Sequence, residues 1–153
     1  MSRNASREKR DARRKIRASA EYISQALCQK GCLVYRYDAY STNSVYLKVD
    51  AGVACSIRLS DHKGYAHLKY RFNFLANKPG TRVEHTIDAY DRYFYQAGAV
   101  DQLIDDVLRL RDQRRKAYKN YSQLVSQALA RARMQKGFWQ HAYRVSARQN
   151  VAA

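Results

Sequence analysis

Carboxylates are scarce in this chain: 13 Asp and Glu stand against 29 Lys and Arg, a formal net charge of +16 over 153 residues. A single-sign field of that size raises self-repulsion in the compact state, so a plainly solvated, partnerless surface is a poor fit. Cysteine is almost missing. The three present, Cys28, Cys32 and Cys55, are odd in number and suit a reducing compartment, and no His or second Cys pair completes a zinc set around Cys28 and Cys32. No run approaches the roughly 20 apolar residues that span a bilayer. Residues 2–17 are polar with no apolar stretch behind their charges, which argues against an ordinary signal peptide. The expectation is a cytoplasmic protein that makes no membrane contact. Proline occurs once, at Pro79, and neither a Gly-rich phosphate loop nor a Gly-x-Ser-x-Gly elbow is found.

What is present is a core and a segregated charge. The apolar fraction of 46% is ample for one domain, with Tyr supplying 13 residues whose hydroxyls need a partner or water. Residues 1–20 hold eight cations and two acids, residues 109–153 hold eleven and one, and residues 21–108 are balanced at ten of each. The cations therefore collect at both ends of the polypeptide and are expected to converge on one surface. A polyanion relieves such a surface, and phosphate neutralisation with counterion release supplies sequence-independent affinity.

Periodicity places these charges. Ala12, Ile16, Ala20, Ile23 and Leu27 recur at steps of four and three, which predicts a helix over residues 7–29 stopped at Gly31. Its other face carries Arg10, Arg13, Arg14 and Arg17. From Cys32 the period becomes two: Leu33 to Tyr37, then Val45, Leu47 and Val49, and after a turn at Asp50-Ala51-Gly52, Val53, Cys55, Ile57 and Leu59. Ala66, Leu68, Tyr70, Phe72 and Phe74 follow on one face, and residues 82–87 complete a mainly antiparallel sheet of four to five strands over residues 32–87. Residues 88–96, with Tyr90, Tyr93, Phe94 and Tyr95, read as either a last strand or an aromatic loop. Helical spacing returns over residues 99–136, as one long helix or one kinked between Arg109 and Lys119, where Arg111, Arg114, Arg115 and Lys119 form a second ridge. Residues 137–153 read as a basic aromatic tail. The fold class is thus α+β: a single domain over residues 1–136, with the sheet flanked by an N-terminal helix and a long C-terminal helix.

The function this pattern supports is non-catalytic binding of DNA or RNA by basic helix faces. Arg10, Arg13, Arg14, Arg17, Arg111, Arg114, Arg115 and Lys119 are the expected phosphate contacts; Lys48, Arg58, Lys69 and Arg71 on the sheet's polar face form a secondary set. The bland alternative, a solvated helix face, normally has acids at i and i+4, and these are almost absent after Asp112. No cofactor or metal is implied. Homodimerisation through Tyr118, Tyr121, Leu124, Val125 and Leu129 is a further possibility, since that stripe exceeds what a small sheet covers.

Asp61, His62, His67, Glu84, His85, Asp88 and Asp91 are the one cluster with acid, base or metal-ligand chemistry. In outline the element order resembles the PD-(D/E)-x-K nucleases, with Asp61 and His67-Leu68-Lys69 as the nearest match; His67 stands where that family has an acid. A small metal-dependent nuclease is therefore a third reading. The order also resembles the double-stranded RNA-binding domain, whose basic motif at the last helix is replaced here by the acidic, apolar residues 100–108. Ser41-Thr42-Asn43-Ser44-Val45-Tyr46, followed by Ser56-Ile57-Arg58-Leu59-Ser60-Asp61-His62, resembles a core in short basic proteins of bacteriophages and other mobile elements. That resemblance implies a phage-type setting. It also supplies the alternative reading, an inhibitor docking on a host defence protein or nucleoprotein complex.

Overall fold

A computed structural model describes residues 3–40, 42–60, 70–75, 90–95 and 97–148, with side chains omitted at 3–6, 8, 70–75, 90–94 and 97. The first element, α1 (Arg3–Gln29), buries Ile16, Ala20, Ile23 and Leu27 almost completely, the stripe that the three-four spacing predicts. It ends in a Schellman motif. The Gly31 amide donates to the Cys28 carbonyl and the Cys32 amide to the Leu27 carbonyl, both at 3.0 Å, with Gly31 at φ 87°, a conformation only glycine adopts freely.

Five strands then form an antiparallel meander: β1 (Val34–Asp38), β2 (Val45–Val49), β3 (Cys55–Leu59), β4 (Tyr70–Leu75) and β5 (Tyr90–Tyr95). The register pairs Val49 with Cys55, Leu47 with Ile57 and Val45 with Leu59, so the apolar members of β2 and β3 share one face and are all buried. Two expectations are refined here. The ambiguous aromatic stretch is a strand, and Val53 lies outside β3 because the turn between β2 and β3 is wider than three residues. The strand expected over residues 82–87 lies outside the described residues.

The C-terminal helical region is interrupted, the second of the two alternatives. After a 3-10 turn at Ala97–Ala99, α2 (Val100–Ala117) ends where Tyr118 takes extended angles (φ −100°, ψ 110°), and α3 (Tyr121–Ala132) begins a new direction. Helix α2 lies alongside α1 in the same sense, with Asp101 accepting from Tyr22 and Arg111 donating to the Gly31 carbonyl. Leu103, Ile104, Val107 and Leu110 of α2 join the α1 stripe and the apolar sheet face in one core. The break frees Tyr121 to reach back, and its hydroxyl donates to Asp50.

The residues expected as a tail return to the sheet. A single turn of helix, α4 (Phe138–His141), sets Trp139 edge-on to Tyr35 at 5.0 Å, and β6 (Tyr143–Arg144) pairs with the outer edge of β1. Val145 is buried, and Gln25 of α1 bonds both the Ser146 carbonyl and the Arg148 amide. This strap closes an edge that would otherwise expose unpaired backbone. The molecule is α+β: α1 and α2 on one face of a sheet ordered β5-β4-β3-β2-β1-β6, and α4 on the other.

Candidate nucleic-acid interface

Among the described side chains of α1 Ile16 is the first that is buried, and those described over residues 7–15 are exposed or half-buried, so this end of the helix stands outside the core. At 1.5 Å per residue, residues 3–15 make an arm about 20 Å long. Arg7, Lys9, Arg10, Arg13, Arg14 and Lys15 are all exposed on it. Among the described residues, carboxylate contacts near the arm are an ion pair of Arg14 with Asp11 one turn earlier and one of Arg17 with Asp38 at 3.6 Å. Exposed pairs of this kind contribute at most about 1 kcal/mol. Over residues 3–15 seven cations stand against two acids, Glu8 and Asp11, so the arm carries an excess of positive charge.

Arg13 ties the arm to the loop between β1 and β2, its Nε donating to Asn43 Oδ1 at 3.3 Å. The same loop is held from the opposite side of the sheet, where Arg58 Nη2 donates to Ser44 Oγ at 3.3 Å and Ser44 and Ser60 bond through their hydroxyls. Tyr40, 95% exposed, stands at the tip. The loop therefore links the arm to the sheet face turned away from α1 and α2.

On that face the register lays out two rows across the strands. One runs Tyr37, Tyr46, Arg58, Arg71, Phe94; the other Arg144, Tyr35, Lys48, Ser56, Asn73, Arg92. Neither row contains an acid. The acids of β1 and β5, Asp38 and Asp91, occupy the alternate register positions. Arg58 sits over the Tyr46 ring at 5.5 Å, and Lys48 Nζ lies 5.2 Å from the Phe138 centroid. Burial lowers the Lys48 pKa. Arg92 was not singled out from the sequence; its signal was hidden because the strand containing it has no clean alternation.

The second expected ridge is corrected. Arg114 is 4% exposed and donates to the Val53 carbonyl at 2.7 Å, while Arg111 donates to Asp50 Oδ2 at 2.5 Å and to the Gly31 carbonyl. Both are structural cations, turned inward because α2 must cover the open end of the β2–β3 turn. Asp50 is the acceptor at its centre. Its Oδ1 takes the Leu33 amide at 3.0 Å, its Oδ2 takes Arg111 and Tyr121, and it is itself only 3% exposed. Its backbone and that of Ala51 are left-handed, at φ 53° and 58°, conformations that cost a non-glycine residue about 1 kcal/mol or more. The hydrogen-bonded cluster holds them there.

Arg115 and Lys119 are exposed, flanking an open recess at the α2–α3 break. They lie beside the Asp50 end of the sheet, whereas Arg10, Arg13 and Arg17 lie beside the Asn43 end. The two ridges thus occupy opposite ends and do not converge. Lys69 lies outside the described residues, and Arg71 is placed by register alone, opposite Arg58. Of the dimer stripe, Tyr121 is buried against Asp50, and Leu124, Val125 and Leu129 are half-buried.

Among the described residues no three His, Cys, Asp or Glu side chains group closely enough to hold a metal ion. Asp61, His62, His67, Glu84, His85 and Asp88 lie outside the described residues. Burial pushes the Cys32 thiol up to about 11 and raises Cys55 further, so both are protonated at neutral pH. No helix among the described residues is long and apolar enough to cross a membrane. Comparison of the chain with protein families, curated proteins and solved structures gives no match.

Proposed function

We propose that this protein binds nucleic acid without chemistry, through the projecting half of α1 together with the 40–44 loop, as an accessory protein of phage or mobile-element type. The observation that carries the reading is the arm: six exposed cations on a helix segment in which no described side chain before Ile16 is buried. A helix segment whose one described apolar side chain is the small, half-buried Ala12 gains little from folding against its own protein. Laid along a phosphate backbone, or entering a major groove, it exchanges self-repulsion for counterion release. An acidic protein surface offers the same charge without the close phosphate spacing.

The contributions of the two ends separate by mutation. Arg10→Ala/Arg13→Ala/Arg14→Ala should weaken binding to a random 20-base-pair duplex by at least about tenfold at low salt, since each is a phosphate contact. Arg115→Ala/Lys119→Ala, at the far end, should change it by less than about threefold. Fluorescence anisotropy measures both. Wild-type protein that retains neither duplex nor single strand at low salt overturns the proposal in favour of an acidic protein partner.

A further inference from the structure

On the sheet face away from α1 and α2, Tyr46, Lys48, Ser56, Arg58 and Phe138 line a recess of about 190 Å³. Two of its walls are cations, and among the described residues neither has a carboxylate within ion-pairing distance. Among the described residues the Lys48 ammonium has one polar contact, a long 3.4 Å bond to Ser56 Oγ, and it rests against the Phe138 ring. Arg58 donates weakly to Ser44 at 3.3 Å, and its Nε is buried with no hydrogen-bond partner among the described residues. Donors left this poorly satisfied are costly unless a ligand completes them. The missing group is an anion that accepts from an ammonium, a guanidinium and a hydroxyl at once, and a phosphate oxygen set does so.

Depth narrows the source. Lys48 is half-buried with its ammonium over the Phe138 face, so a phosphate must protrude from its polymer to reach it. The phosphates of a duplex are held in stiff rails, whereas an unpaired strand bends at each phosphodiester. Tyr46 and Phe138 line the recess, each packed on the half-buried Tyr37, and this aromatic cluster suits the bases of a single strand.

We infer that the recess between Lys48 and Arg58 is a phosphate subsite for an unpaired nucleic-acid strand, reached from the basic arm across the 40–44 loop. This rests on the nucleic-acid reading above and adds a preference for single strands. Lys48→Met keeps the length of the stem and removes the charge; Arg58→Gln keeps a planar donor. Each should lose about tenfold or more in affinity for a 12-nucleotide single strand, while duplex affinity, carried by the arm, changes by less than about twofold. Retained duplex binding shows that each variant is folded. Without nucleic acid, Lys48→Met should melt at or slightly above the wild-type temperature, because a half-buried ammonium with no carboxylate partner among the described residues is gone.

That combination, undiminished stability with weaker single-strand binding, is not expected of a lysine that merely packs. Unchanged single-strand affinity in both variants, or equal losses on duplex and single strand, overturns the subsite and leaves the arm intact as the interface. Loss confined to the arm triple variant does the same. Absence of all nucleic-acid binding by the wild type defeats the underlying reading along with it.

Discussion

At the scale of single residues, Asp50 organises the end of the molecule opposite the arm. One carboxylate closes a left-handed turn, receives the Leu33 amide, and anchors α2 through Arg111 and α3 through Tyr121. Removing it strands a guanidinium that is 12% exposed. Asp50→Ala should therefore cost about 3–5 kcal/mol in urea denaturation, the range for breaking a buried pair on one side. Arg115→Ala, one turn further on the exposed side, should stay within about 0.5 kcal/mol. A loss below about 1 kcal/mol for Asp50→Ala contradicts this role. The sequence could not reveal it: three-four spacing groups Arg111, Arg114 and Arg115 into a ridge but does not say which members face inward, and the acceptors for Arg111 and Arg114 are 61 residues away.

At the scale of elements, α1 is two helices in energetic terms. Residues 16–29 are locked by Ile16, Ala20, Ile23 and Leu27, by the Gly31 stop, and by Arg36, which pairs with Glu21 and Asp38. Residues 3–15 have no buried side chain among those described and rely on side-chain pairs and helix propensity, and isolated segments of that length are marginal. Amide hydrogen exchange in the free protein should therefore be fast across residues 3–15 and strongly slowed across 18–29, and a saturating oligonucleotide should slow the first segment by about tenfold or more. Uniform protection along α1 without ligand, or no change on adding it, contradicts the account. This helix was legible in the sequence, as were the β2–β3 hairpin and the Gly31 stop, because each is written in local period and turn chemistry. The return of α4 and β6 was not. It depends on Trp139 meeting Tyr35 and Tyr143 pairing with Arg36, contacts with no local signature.

At the scale of the whole molecule, composition gave the magnitude of the charge but not its placement. The sequence places cations at both termini, and the fold sends them to opposite ends of the sheet while consuming Arg36, Arg111 and Arg114 internally. What remains for the proposed interface is the arm, the loop between β1 and β2 and a sheet face whose register rows carry Lys48, Arg58, Arg71 and Arg92 without an acid. The salt dependence of affinity tests this most directly. For a random duplex, log K against log salt between 50 and 300 mM should fall with a slope steeper than about −3, equivalent to several phosphates neutralised together. The arm triple variant should flatten that slope by about one per lost contact. A wild-type slope near zero, or one the triple variant leaves unchanged, contradicts the assignment of the arm as the phosphate-binding surface.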